Sequence, residues 1–510
     1  MKQKKHYYSI FLLLIFIFGC SKEENELNNN ESNVELNLNS ISSNSYSIKL
    51  DYNYSSKIEN IKLIWNTTDE VDLINKIGEI NIITNNSDIT VNNLEQNQNY
   101  YFKLSGNYNN DIVYSNIISL KTSEIKLLIN DKLLNYQTGG IVDVVKTNDG
   151  YLVFTPKGSS ILSDKIEITK LNFDLNHQWT ILINESTESS DYFKGLISLN
   201  NDEYIGIGQK HYHSGAGVWG NSIYSFKFNG KGTIINKSNL STDYSDISSL
   251  TDLKNYLYSM PKFSNNHNHL KVIVSSDSTY YNSNDNHYYK ELELYNNGEL
   301  KSKKVIGSFD DLSILWYLRY DNIGNIYNYG NIDIRPNDGL QTWDAWLQKY
   351  DSNNSLVWNN NYGIYGGDDS ADNILIDNNE TVIIGKNGHQ NGFDGESKWI
   401  IKTNSSGEII WDFKETRDDF IYQGKDIIKD VDGNYISLFF DIYYPNSHVY
   451  NIVSVIKTDI EGNVIWKYYD GEDFNDDRFQ PSKIFVSSDN EYTIFGDKEG
   501  YLWVKKIKIE

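Results

Sequence analysis

A chain of 510 residues with 14% aromatic content, 39 of them Tyr, is no disordered polymer and is long enough for two or three domains. Its formal charge of −23 argues against nucleic acid or an anionic membrane surface as the main partner. Cys20 is the single cysteine, so no intrachain disulfide forms, and five prolines amid abundant Asn, Ser, Ile and Tyr favour strands and polar turns over long helices.

Lys2, Lys4 and Lys5 precede an apolar run, Ile10 to Phe18, that is too short to span a bilayer and reads as a signal peptide over 1–19. The run closes on Gly19-Cys20. This segment resembles a bacterial lipoprotein signal with its lipobox. The resemblance implies cleavage before Cys20 and lipidation of that residue. Ser21-Lys22-Glu23-Glu24 resembles the signal that sends Bacteroidota lipoproteins to the outer face of the outer membrane. The expected address is therefore the outer membrane, lipid-anchored and facing outward. Residues 20–33 are Asn- and Glu-rich and are expected to be a flexible tether.

From Val34 the pattern alternates in short strands separated by Asn- and Ser-rich turns, which predicts a β-sandwich over 34–123. Leu94 lies six residues before Tyr100, which opens the strand Tyr100 to Leu104. That spacing resembles the tyrosine corner of fibronectin type III domains, with Tyr52 where the family commonly has a buried Trp. Trp65 is expected in the core, and the module is expected to act as a spacer.

The rest of the chain repeats. A Lys, a turn residue five places on and a Trp nine places on recur as Lys170 to Trp179, Lys349 to Trp358, Lys402 to Trp411 and Lys457 to Trp466. Weaker copies start at Lys227, where Asn236 replaces the Trp, and at Glu293. A second hairpin turn precedes each unit, as at Asp432-Gly433-Asn434. Four short strands per repeat, repeated around a ring, predict an all-β chain: the sandwich, then a seven-bladed β-propeller over 124–510. The motif lysines are expected to lay their stems outside and solvate their charge, and the tryptophans to pack between blades. The last repeat supplies three strands, so the apolar stretch 125–130 is expected to pair with 501–509 and close the ring. The Trp-ended hairpin resembles quinoprotein-like propeller repeats, and Tyr365 to Asp369 resembles those of bacterial surface propellers. These resemblances imply a fold, not an activity.

Strand order puts the loops between second and third strands, and those between blades, on one face. Inter-blade loops are acidic there, including Asp368, Asp369, Asp418 and Asp419. Such carboxylates either tie blades through backbone N–H groups or form a mouth that binds a cation, Ca²⁺ by preference, or a basic partner. Tyr212, Trp219, Trp343, Phe393, Tyr443 and Tyr444 fall in the same loops, and flat rings beside amides and carboxylates suit sugar stacking. His211 with His213, and His267 with His269, are weak metal-ligand candidates lacking an acidic companion. No GxSxG, HExxH or phosphate loop occurs, and the paired cysteines of quinoprotein dehydrogenases are missing. The expectation is a surface binding protein with no catalytic residues and no resident cofactor, capturing a glycan or an envelope or extracellular protein. The alternatives are a propeller enzyme acting on polysaccharide and a structural part of an outer-membrane complex.

Overall fold

The computed structural model describes residues 35–43, 46–83, 87–92, 94–123, 127–137, 143–157, 165–183, 189–199, 202–214, 218–240, 269–276, 287–295, 298–309, 313–334, 342–353, 355–363, 367–388, 396–417, 419–444, 449–470, 479–488 and 490–509. Among them every regular element is a strand. The chain divides into two compact units, the second holding Leu120–Glu510 together with Ile41–Lys49 and Thr90–Tyr100.

The N-terminal strands form two sheets. One orders Leu36–Ser43, Ile48–Tyr54 and Ser87–Val91. The other orders Gly78–Asn81, Glu59–Asn66, Asn99–Tyr108 and Asp111–Tyr114, with Ile118–Lys121 also on Asn99–Tyr108. Alternation buries one face of each strand: Ile48, Leu50 and Tyr52 in the first sheet, Tyr100, Phe102 and Leu104 in the second. Asn116 joins the sheets, its Nδ2 donating to Leu38 O at 2.9 Å and its Oδ1 accepting from Leu38 N at 3.1 Å. The Tyr100 hydroxyl accepts a hydrogen bond from the backbone N–H of Glu95 at 2.8 Å. Trp65 is only half-buried, with its ring 6.3 Å from Phe102.

Leu120–Glu510 folds as successive antiparallel sheets, seven among the described residues. The first contains Asp143–Lys146, Gly150–Lys157, Lys165–Asn172 and His177–Ile183. The second contains Ser189–Leu199, Glu203–Ser214, Val218–Asn229 and Ile234–Asn239. The third shows His269–Ser276, His287–Tyr295 and Leu300–Phe309. The fourth has Ser313–Tyr320, Ile326–Ile334, Thr342–Tyr350 and Leu356–Tyr362, and the fifth has Ser370–Asp377, Glu380–Asn387, Ser397–Thr403 and Ile409–Thr416. The sixth has Phe420–Lys429, Tyr435–Tyr443, Tyr450–Thr458 and Val464–Asp470. The seventh runs Phe479–Ser488, Glu491–Lys498, Tyr501–Ile509, and then takes Leu127–Gln137 as its outer strand. That early strand meets the last one through pairs such as Lys506 with Asn130 and Ile509 with Leu127.

Sheets pack on their neighbours in chain order: first on second, fourth on fifth, fifth on sixth and sixth on seventh. The first strands of the seventh and first sheets also meet. This is a propeller-like, β-rich arrangement in which these neighbouring sheets bury their faces against one another. Val144, Tyr151, Phe495, Leu502 and Val504 make one such interior between the seventh and first sheets.

The recurrent motif is a device for this sheet-to-sheet contact. Trp179 Nε1 donates to Gly230 O of the second sheet at 2.8 Å, Trp358 Nε1 to Ser405 O of the fifth at 2.9 Å, and Trp411 Nε1 to Ile460 O of the sixth at 2.9 Å. Each indole therefore caps the turn of the following repeat. Gly462 in that turn has φ 88°, and a Cβ on it would lie 2.6 Å from Trp411 Cδ2. Glycine is required twice over, by the left-handed backbone and by the indole against it. The preceding Asp459 holds the loop by accepting from the N–H groups of Glu461 at 3.0 Å and Asn463 at 2.8 Å.

The motif lysines correct the expectation of solvated heads. Lys170, Lys349, Lys402 and Lys457 are all buried. Lys402 pairs with Glu380 at 2.9 Å and Lys457 with Asp430 at 2.6 Å, while Lys170 bonds Asp149 and Thr147. Their stems run inward under the turn, where a carboxylate at the hairpin supplies the counter-charge, so the lysine serves the fold.

Candidate functional site

The antiparallel order places the loops between second and third strands, and those between sheets, on one face. Several predicted site residues meet there. Trp343 is half-buried at the start of the fourth sheet's third strand. Its backbone bridges Asp368, and its carbonyl accepts from Asp369 N at 2.6 Å. Asp368 is exposed, whereas Asp369 is wholly buried and its Oδ1 accepts from Asn387 Nδ2 at 2.6 Å and Gly388 N at 2.9 Å. The two neighbouring carboxylates thus do different work, one facing solvent and one holding backbone.

Asp344 adds a group that its place in a strand hid from the sequence. A Cβ on Gly363 would collide with both Asp344 Oδ1 and Asp369 Oδ2, so the two carboxylates flank that glycine. Burial pushes the Asp344 carboxyl up to about 6. From the ordinary value of 3.8 up to about 6, only the unfolded chain ionises, so this group removes stability as pH rises through that window. Asp344→Asn is therefore expected to stabilise the protein by about 1–2 kcal/mol at pH 8 and to do nothing below pH 4, read as urea midpoints at both pH values.

The second group lies at the sixth sheet. Phe420 and Tyr443 stack with centroids 4.5 Å apart, and the Arg417 guanidinium lies 5.8 Å from the Phe420 ring and 4.2 Å from Tyr469. Asp419 is exposed, with φ 64°, and its carbonyl accepts from Tyr444 N at 3.0 Å, which sets the exposed Tyr444 beside it. The structure brings Asp419, Tyr443 and Tyr444 together, and separately Trp343, Asp368 and Asp369. Tyr212, His211 and His213 fall in the second strand of the second sheet and Trp219 in its third. There His213 pairs with Trp219 in the backbone register. His269 begins the third sheet. Cys20, His267, Phe393 and Asp418 lie outside the described residues. Among the described residues no three His, Cys, Asp or Glu side chains are grouped as a metal site.

A third arrangement lies where the first strands converge. Five of them carry a bulge, after Phe193, Leu315, Ala371, Gly424 and Pro481. Bulges re-aim the residues that follow, here Asn373, Asp426 and Lys483. Gly385, opposite the fifth sheet's bulge, leaves room for the Ser370 carbonyl that any side chain would strike. Arg319 Nη2 of the fourth sheet donates to Asn373 Oδ1 at 2.6 Å, and Asn373 Nδ2 donates to Lys425 O at 2.8 Å. Asp372 Oδ2 accepts from Gly424 N at 2.7 Å, and Asp426 Oδ2 from Ile484 N at 3.1 Å. Lys483 Nζ stands 3.8 Å from Asp143 Oδ1 and 3.9 Å from Asp426 Oδ1. First strands from the fourth sheet round to the first are thus linked in sequence.

The charged groups there are close-set and only partly exposed. Lys483 is held above the usual lysine range by Asp426 first, against burial, and then by Asp143. Burial pushes the Asp143 carboxyl up, outweighing Lys483. Side-chain exposure is 28% for Lys483 and 29% for Asp143, but 7% for Asp426. Arg319 Nε is buried with no hydrogen-bond partner among the described residues, a state that costs about 1–3 kcal/mol when nothing fills it. These residues were missed in the sequence, although a signal exists: Asp143, Asn373, Asp426 and Lys483 stand four to six places before the hairpin turns that open at Asn148, Asp377, Asp432 and Ser488.

No family model matches the chain, and no curated protein does. Among solved structures, it is similar to the endo-arabinase from Bacteroides thetaiotaomicron at 13% identity, over 46% of this chain and 88% of that one, with TM-score 0.29. A mutant of the Synechocystis apocarotenoid oxygenase matches at 7% identity over 86% of this chain and 97% of that one, with TM-score 0.38. The WD40 domain of SCAP from fission yeast matches at 7% over 74% and 98%, with TM-score 0.32. Likeness this low carries no argument about ligand or activity.

Proposed function

We propose that the chain is a lipid-anchored outer-membrane protein that captures a glycan on an outward-facing seven-bladed propeller. Lipid on Cys20, the tether over 20–33 and a fibronectin type III-like spacer over 34–123 would hold that propeller off the membrane. The observation that carries the reading is the grouping of exposed Tyr444 and Asp419 with the Phe420–Tyr443 stack and Arg417 on the loop face. A ring beside a carboxylate and a guanidinium offers a stacking surface together with hydroxyl acceptors and donors. The test is a glycan array probed with residues 34–510, with calcium and with chelator. Binding that drops about tenfold or more in Tyr444→Ala supports the reading, since an aromatic platform carries that much. Loss in chelator would bring a cation, Ca²⁺ first, into the site. An array with no signal would sink glycan capture and leave an envelope or extracellular protein as the partner.

A second reading, an enzyme acting on polysaccharide, is favoured by one observation. Asp344, with its raised carboxyl, flanks Gly363 together with Asp369, and a pair of carboxyl groups at one centre is what glycoside hydrolysis uses. Release of reducing ends from any array-positive polysaccharide, abolished in Asp344→Asn, would favour it over capture.

A further inference from the structure

We propose that the converging first strands form a second binding site, selective for the hydroxyls of a neutral sugar. The ligand class rests on the glycan reading above, but the residues do not. Lys483, Arg319, Asp143 and Asp426 belong to the seventh, fourth, first and sixth sheets, so their meeting is built by the fold rather than by one loop.

Three features point to an occupant. The first is spacing. Lys483 Nζ lies 3.8 and 3.9 Å from its two carboxylate oxygens, beyond hydrogen-bond range, so a group that accepts from the ammonium and donates to a carboxylate fits between them. The second is the Arg319 Nε–H, which has no hydrogen-bond partner among the described residues, although Tyr329 first, then Asp426 and Asp143, hold the guanidinium charged against burial. The third is access: Lys483 and Asp143 still reach solvent. Two cationic heads and two carboxylates balance, so a charged ligand gains nothing net. A hydroxyl both donates and accepts, and adjacent hydroxyls on a sugar ring match alternating donors and acceptors. Charged sugars would leave one pair of site charges opposed by a like charge.

The experiment titrates the full-length chain in detergent with glucose, galactose and mannose, and with glucuronate and glucosamine as charged counterparts, by calorimetry. A neutral monosaccharide should bind, with affinity falling about tenfold or more in Lys483→Met and in Asp143→Asn. Should Lys483→Met fail to fold, Asp143→Asn decides alone, being isosteric. Heat that vanishes in Tyr444→Ala and survives in Asp143→Asn would overturn the proposal, as would tighter binding of a charged sugar, or no binding up to ~10 mM. An array signal without monosaccharide binding refutes this site and leaves loop-face capture standing. Monosaccharide binding with an empty array does the reverse.

Discussion

Lys398→Met is expected to cost about 3–5 kcal/mol of folding stability, because it strands a carboxylate in the interior. Lys398 is fully buried in the fifth sheet, 2.8 Å from Asp441 Oδ2 and 3.0 Å from Glu415 Oε2. Its ammonium lies over the rings of Tyr469 at 4.7 Å and Tyr422 at 5.1 Å. Asp441 belongs to the sixth sheet and accepts from Ser454 Oγ at 3.0 Å, and burial pushes its carboxyl up against the pull of Lys398. Without the lysine that carboxylate has lost its counter-charge, which the double variant Lys398→Met/Asp441→Leu should largely restore. Urea unfolding of both variants makes the comparison, and equal losses in single and double would refute the ion-pair account. The pH dependence has a definite sign. Burial alone would raise the Glu415 carboxyl, but Lys398 and Lys467 outweigh it and hold it at about 2, against an ordinary 4.5. Its contribution, on the order of 3 kcal/mol, is fully present above 4.5 and is lost as pH falls from there toward 2. In Lys398→Met, Lys467 at 2.7 Å and the Tyr469 hydroxyl at 2.6 Å remain to hold it but the Lys398 charge is gone, so acid unfolding should begin at higher pH.

Trp503→Ala should cost a further class of energy, about 3–5 kcal/mol of packing. Trp503 is fully buried on the last strand, which has Glu491–Lys498 on one side and Leu127–Gln137 on the other. Ending the chain after Gly500 removes that strand, leaves both partners with unpaired edges and uncovers Leu502's and Val504's neighbours in the interior shared with the first sheet. The truncated chain is expected to be insoluble or rapidly proteolysed. A truncated chain that melted with the same midpoint and cooperativity as the whole would remove the closing role of this strand.

The fold was legible because repetition amplifies weak signals. One Gly-to-Trp hairpin says little, but Gly407 to Trp411 and Gly462 to Trp466 at the same spacing mark strands, turn and sheet contact together. The lysine of the same motif misled, because spacing reports which residue recurs but not whether a carboxylate waits beneath it; Glu380 and Asp430 lie in other hairpins. At the loop face the sequence found Asp419, Tyr443 and Tyr444, since aromatic and acidic residues stand out among polar ones. It missed Asp344, which reads as one polar residue in an alternating strand, and whose raised carboxyl comes from burial that no local pattern encodes. Lys483 and Arg319 were missed for a related reason. Their meaning lies in convergence across sheets and in bulges that turn them inward, and neither leaves a mark on a single repeat.

The relay of indoles into following turns has a consequence for how the molecule comes apart. Trp179, Trp358 and Trp411 couple the first, fourth and fifth sheets to their successors, so fluctuations that free one of these sheets must break its neighbour's turn as well. The second sheet has Asn236 at that position, so its coupling to the third lacks the shared indole, although Ser225 still bonds Gly298 O. In a nearest-neighbour chain the least coupled junction sets the lowest free energy of partial opening. The third repeat, which opens at Glu293, has Ser302 at the same position, so amide exchange that bypasses global unfolding should start on either side of the third sheet.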